Sequence, residues 1–198
     1  MNIEIRKLTP ELADDYVKFF DVTPHSDNVD DHKCYCVCWC NDDYEGKDFS
    51  SAEKRREYAV KYVKNSNIQG YLAYYQNKVV GWCNANTKAD CLKCCSWRMF
   101  MASIPIDELS SGTKVKSIFC FAISPEMQRK GIAKMLLERV CEDAAKEGFD
   151  YVESYPNKVF ANEEDDFMGP VELYRKKGFT VHCEVENRFV MRRQCLLY

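Results

Sequence analysis

Chemistry in this chain is most legible at Ser124-Pro125-Glu126-Met127-Gln128-Arg129-Lys130-Gly131-Ile132-Ala133, where two cations and a glycine separate two apolar patterns. Upstream, Ile118-Phe119-Cys120-Phe121-Ala122-Ile123 is a short apolar run that suits a buried strand. Downstream, Ile132, Leu136, Val140 and Ala144 recur every four residues, opposite Lys134, Glu138, Glu142 and Lys146, as an amphipathic helix requires. The first turn of such a helix leaves backbone N–H groups without partners and carries the positive end of the helix dipole. Gln128, Arg129, Lys130, Gly131, Ile132 and Ala133 therefore make a candidate cradle for an anion such as phosphate. An ordinary strand-to-helix turn has the same outline, and one glycine does not separate the two.

Other chemistry-bearing residues are scattered. Glu153 stands in the middle of the strand-like Tyr151-Val152-Glu153-Ser154-Tyr155, where an acid needs a reason to be tolerated. A general base is one reason; an outward face or an ion pair is another. His182 is a weaker base candidate on a strand face expected to be exposed. Twelve cysteines include Cys34-Tyr35-Cys36-Val37-Cys38-Trp39-Cys40 and a second group at Cys91, Cys94 and Cys95. Strict alternation predicts a strand with four sulfurs on one face, spaced too widely for one tetrahedral ion. Cysteine is also a common small buried hydrophobe, so no metal is expected.

The elements that must position these residues follow from patterning. Asn2–Leu8 alternates as a half-exposed strand, and Thr9-Pro10 opens a helix reaching about Phe20. Ser50 and Glu53 have capping-box spacing for a charged, solvated helix to about Val63, placed over the cleft. Ile68–Tyr75 and Lys78–Asn86 read as strands joined at Gln76-Asn77. Residues 87–113 are hard to read beyond a short helix near Ile106–Leu109 and a break before the central strand. Gly148 ends the central helix, Tyr151–Tyr155 is a strand, and residues 162–166 form an acidic loop. Pro170 opens a short helix closed by Gly178; Thr180–Glu186 and Phe189–Arg193 form a last antiparallel pair.

Two motifs then resemble the GNAT acyltransferase superfamily. Gln128-Arg129-Lys130-Gly131-Ile132-Ala133 is similar to its pyrophosphate signature, and Leu173-Tyr174-Arg175-Lys176-Lys177-Gly178-Phe179 to its Leu-Tyr-x-x-x-Gly-Phe element. The resemblance is carried by residues 114–193. It implies a mixed α/β fold: a mostly antiparallel central sheet with one parallel, splayed strand pair, flanked by helices, as one domain over 1–198. It also implies an acetyl-CoA-dependent N-acetyltransferase acting on a primary amine of a small molecule or peptide. Phe121, Ala122 and Ile123 would then lend their strand edge to the pantetheine arm, and Tyr174 would protonate the leaving thiolate. The side chains of Phe121 and Ile123 can pack in the core while their backbone binds; for Tyr174 the alternative is packing under the Gly178-Phe179 turn, and the motif favours the chemical role. Where the family often has Asn, seven residues before the tyrosine, this chain has Phe167; Asn157 is a possible substitute. Tyr44, Trp82 and Trp97 are candidates to line the acceptor pocket, though each has the look of a core residue. Two other readings stay open: a non-catalytic acyl-CoA sensor, and a thiol- or metal-responsive protein.

Composition narrows the classes. With 46% hydrophobic and 30% charged residues over 198 positions, the chain supports one sizeable core. A net charge of -3 gives no general affinity for nucleic acid or anionic membrane, and no run reaches the length of a membrane span. The opening MNIEIRKL has no export-signal pattern, so a reducing, cytoplasmic setting with free thiols is expected. The sequence leaves the oligomeric state open.

Overall fold

Alternation, turns and caps decide where the elements lie in the computed structural model, which describes residues 1–161 and 166–196. Among these residues the strands are β1 (Glu4–Lys7), β2 (Gly70–Tyr75), β3 (Lys78–Thr87), β4 (Val115–Ile123), β5 (Tyr151–Ser154), β6 (Thr180–Val185) and β7 (Arg188–Gln194). They form one sheet in the order β1-β2-β3-β4-β5-β7-β6. Every neighbouring pair is antiparallel except β4 with β5. The helices are α1 (Ala13–Val22), α2 (Ala52–Lys64), α3 (Cys95–Phe100), α4 (Ile132–Lys146) and α5 (Val171–Arg175). The expected mixed, mostly antiparallel sheet with one parallel pair is present.

Local chemistry explains most boundaries. Gln76 and Asn77 both take left-handed φ values, 49° and 61°, as a tight hairpin between twisted strands requires. Helix α4 begins at Gly131 (φ 83°) and gives way to Gly148 (φ 75°). Thr9-Pro10 opens a 3₁₀ turn, Pro10–Leu12, that leads into α1. Ser51, not Ser50, caps α2, its hydroxyl accepting from the Lys54 N–H at 3.3 Å.

The sheet has two apolar faces, and each is covered. Leu136, Leu137, Val140 and Ala144 of α4 pack with Tyr71, Cys83, Ile118, Val152, Tyr174 and Phe179 on one side. Tyr16, Phe19 and Phe20 of α1, with Ala59, Tyr62 and Val63 of α2, cover Leu72, Tyr74, Trp82 and Cys120 on the other. Helix α2 is thus anchored to α1 by a buried stripe, despite its charged composition. Trp82 is fully buried, edge-on to Tyr16 at 4.8 Å, and belongs to this core.

One further expectation is corrected. Cys34–Cys40 is not a strand. Tyr35 and Cys36 have φ of 46° and 50°, and Val37–Trp39 is a 3₁₀ turn, so alternation fails at its second residue. Core side chains, rather than a strand partner, satisfy the segment. Tyr16 Oη donates to Tyr35 O (2.7 Å), Asn84 Nδ2 to Trp39 O (3.1 Å), and Trp82 Nε1 to Cys36 Sγ (3.4 Å). Residues 87–113 contain α3, which the sequence hides because its cap is a thiol: Cys94 Sγ accepts from Trp97 N at 3.3 Å. Of the expected acidic loop at 162–166, only Asp166 lies within the described residues, and it is buried.

Candidate active site

The site is assembled where β4 and β5 part. Their register runs from Val115↔Tyr151 to Ile118↔Ser154 and stops, while β4 continues through Phe119 to Ile123. The last part of β4 therefore has β3 on one side and an edge open to other partners on the opposite side. Beyond Ile123 the chain makes a 3₁₀ turn, Pro125–Met127, in which Met127 is buried as an anchor. Ser124 ties the turn to β3, its N–H donating to Val80 O at 3.0 Å.

The cradle follows at once. Arg129 (φ 59°) and Gly131 (φ 83°) are left-handed, and Arg129, Lys130 and Gly131 are exposed. Such a backbone turns successive N–H groups toward one side, beside the unpaired N–H groups of the α4 first turn. A Cβ built on Gly131 would meet no atom within 4 Å, so glycine is needed there for its φ and not for lack of space. Gly81 is needed for close approach. A Cβ there would lie 2.8 Å from Ile123 Cδ1 and 3.0 Å from Ile132 Cγ2, so this glycine lets the first turn of α4 rest against β3 and β4.

Tyr174 lies on α5 on the α4 side of the sheet, fully buried and edge-on to Phe179 at 5.3 Å. Its hydroxyl donates to Met168 O. Burial drives its pKa well above the ordinary phenol value, so it holds its proton throughout the physiological range. The preceding residue's carbonyl is also engaged: Phe121 N donates to Phe167 O at 2.8 Å. One short segment thus satisfies both the strand edge and the phenol. Asp166 clasps this segment, accepting from Asn157 Nδ2 and from Ala161 N, each at 2.6 Å. Asn157 therefore faces the clasp.

Glu153 is placed deep below the splay with no exposure, and both its oxygens face cations. Lys88 Nζ donates to Glu153 Oε1 and to Glu108 Oε1, each at 2.7 Å, and to Pro105 O at 2.8 Å. Arg192 Nε donates to Glu153 Oε2 at 2.8 Å, and Arg192 Nη2 reaches Glu108 Oε1 at 3.1 Å. Sequence reasoning missed this network, because residues 88, 108, 153 and 192 share no local pattern. His182 is exposed on β6, as expected. Above the network, Phe119 is stacked between Trp39 (5.0 Å, 13°) and Tyr155 (6.0 Å, 15°), with Trp97 edge-on to both Phe119 and Tyr155. Trp97 is accordingly a packing residue. Tyr44 is half-buried under the Arg98 guanidinium, 5.3 Å from its ring centre. A broad surface hollow elsewhere, lined by Cys141, Lys177 and Arg193, includes neither the cradle nor Tyr174.

All twelve cysteines are free, and burial raises the thiol pKa of Cys40 and Cys141 to about 12. No helix among the described residues is long and apolar enough to cross a membrane.

A family model described as the acetyltransferase (GNAT) family matches residues 29–179. The chain belongs to this family. The match spans α2 to α5 and includes both motifs. No curated protein matches the chain. Solved structures share the fold at low identity. A putative GNAT-family acetyltransferase from Desulfovibrio desulfuricans aligns at TM-score 0.56 and 10% identity, covering 98% of this chain and 100% of that one. A paia N-acetyltransferase from Thermoplasma acidophilum, in complex with coenzyme A, aligns at 0.53 and 18%, covering 98% and 99%. A ribosomal-protein-S5-alanine acetyltransferase from Vibrio fischeri aligns at 0.55 and 11%, covering 98% and 94%.

Proposed function

We propose that residues 1–198 form one acetyl-CoA-dependent N-acetyltransferase domain, working in the cytoplasm on a primary amine of a small molecule or peptide. The observation that carries this reading is the alignment of a half-paired strand with an anion cradle: the open edge of β4 leads directly to Gln128–Ala133. A ligand with an extended, amide-bearing arm and a diphosphate matches both parts. Its diphosphate would take the N–H groups of Gln128 to Ala133, with charge from Arg129 and Lys130. Its arm would take the backbone of Phe121, Ala122 and Ile123. The family membership, and a coenzyme A complex among the structures of the same fold, support the choice.

Tyr174 is our candidate acid for the departing thiolate. It is the right group in the right protonation state, and its use requires the bond to Met168 O to be given up. Arm binding would likewise replace the bond between Phe121 N and Phe167 O. Loading the cofactor thus entails displacing Phe167 and Met168. For Glu153, the geometry supports a buried structural charge over a base, since both oxygens are paired with cations. An amine entering as the free base, or losing its proton to water, needs no carboxylate at that depth.

Calorimetric titration with acetyl-CoA tests the cofactor assignment. The parent should bind one equivalent and gain thermal stability by linkage, and Gly131→Asp, with a carboxylate in the cradle, should not. Equal binding by the variant would remove the cradle from this account.

A further inference from the structure

Between α1 and α2 the sequence reads Pro24-His25-Ser26-Asp27-Asn28-Val29-Asp30-Asp31-His32-Lys33, and the acetyl-transfer reading makes no use of it. Two of the chain's three histidines fall here, and the fold brings both onto one carboxylate. His25 Nδ1 lies 2.7 Å from Asp27 Oδ1, and His32 Nδ1 lies 2.5 Å from Asp27 Oδ2. The rings are perpendicular, 88° apart, with centres at 6.1 Å, so each presents a nitrogen to the same small space without stacking. Among the described residues this is the one group of three histidine, cysteine or acidic side chains whose ligand atoms all lie within 4.8 Å of one another. Among the described residues no set of three cysteines meets that condition.

The loop around the group is braced. Asn28 takes a left-handed turn (φ 58°), and Val29 N donates to Asp27 Oδ1 at 2.9 Å, which fixes the carboxylate from its own backbone. Asp30–His32 forms a 3₁₀ turn that swings His32 back over Asp27. From α2, Arg55 donates to the carbonyls of Asp31 and Lys33, and Ala52 N donates to Asp31 Oδ1 at 2.8 Å. Lys33 Nζ donates to Asp21 O at 2.8 Å and pairs with Asp30 at 3.0 Å. The neighbouring carboxylates Asp30 and Asp31 therefore have partners of their own, and Asp27 is left to Val29 N and the two imidazoles.

We propose that His25, Asp27 and His32 bind a divalent transition ion of the zinc class. Two imidazole nitrogens and one carboxylate oxygen form a borderline-soft N₂O set, which suits zinc and does not suit calcium or magnesium, whose sites are built from oxygen. Each Nδ1 now faces a carboxylate, which only accepts, so each carries the proton of that hydrogen bond. An ion entering between them replaces both protons, which leave to solvent, and gains three protein ligands at ordinary bond lengths after a small opening of the group. The half-exposed position, with His32 side chain 59% accessible, leaves room for water as a fourth ligand. The ion would lock the loop that leads into Tyr35 and Trp39, and so stiffen the turn whose Trp39 stacks on Phe119.

The test uses full-length, tag-free protein stripped with a chelator and dialysed. Titration with zinc chloride should show one equivalent bound and a raised Tm, and the double variant H25A/H32A should lose both effects while keeping the parent's metal-free circular dichroism. Cobalt(II) supplies a readout independent of the variant's folding: N₂O ligation gives visible d–d bands without the near-ultraviolet charge-transfer band of a cobalt–thiolate bond. Failure of the parent to bind zinc, retention of the equivalent by the double variant, or a thiolate band in the cobalt spectrum would each overturn the assignment.

Discussion

Tyr174 packs in the core and is also the proposed acid, and only a minimal substitution separates the two roles. Its ring packs on Phe179 and its hydroxyl is bonded to Met168 O. Tyr174→Phe keeps the ring and removes the proton donor. Used as the acid, its loss should lower kcat by roughly 10²–10⁴-fold with acetyl-CoA affinity little changed. Steady-state kinetics with an accepted amine check this, and near-parental kcat with chemistry rate-limiting would leave Tyr174 as packing. Because burial holds its pKa well above the ordinary value, the pH–rate profile should show no alkaline loss from Tyr174 below about pH 10.

The same scale explains Glu153. Lys88 is fully buried between Glu153 and Glu108, so Lys88→Met leaves the two carboxylates sharing Arg192 alone and should cost about 3–5 kcal/mol, measurable by urea unfolding. Burial pushes the Glu108 carboxyl up, but hydrogen bonding and charge from Lys88, with Arg192, outweigh it and hold the group below its ordinary 4.5. A carboxyl lowered by folding adds stability above its unfolded pKa and loses it as pH falls through the folded one. Unfolding free energy should therefore drop below about pH 4.5, and Glu108→Gln should flatten part of that drop.

Among elements, the segment Asp166–Gly169 carries the clearest consequence. It occupies the Phe121 N–H and the Tyr174 hydroxyl together. Acetyl-CoA should increase amide hydrogen exchange at 167–169 while decreasing it across Gln128–Ala133; unchanged exchange at 167–169 would refute the displacement. Elements were legible in the sequence wherever periodicity and turn chemistry agreed. The β4–loop–α4 unit shows a clean change from an apolar run to a four-residue repeat around Gly131, and Gln76-Asn77 marks its own hairpin. Cys34–Cys40 misled because its alternation is real but its backbone is not extended. Tyr35 and Cys36 are left-handed where Tyr16 and Trp82 bond them, and Asn84 bonds Trp39 O further along; all three are remote in sequence. The Lys88–Glu108–Glu153–Arg192 network was illegible for the same reason: tertiary proximity has no local spacing.

At the scale of the molecule, the sheet works as a frame with one gap. Strands β1 to β4 and the pair β7-β6 are bonded along their lengths, and β5 joins the halves through only four register pairs with β4. The remaining edge of β4, the cradle beyond it and Tyr174 all belong to that gap. The proposed work of this gap is transfer of an acetyl group to an amine. The most direct measurement is CoA release from acetyl-CoA by purified protein across a panel of small amines, amino acids and peptides, with the acetylated product identified by mass spectrometry. Release should depend on at least one amine, with matching acetylated product, and should be lost in Gly131→Asp. Tight acetyl-CoA binding with no amine-dependent release across the panel would contradict it and identify the domain as an acyl-CoA sensor.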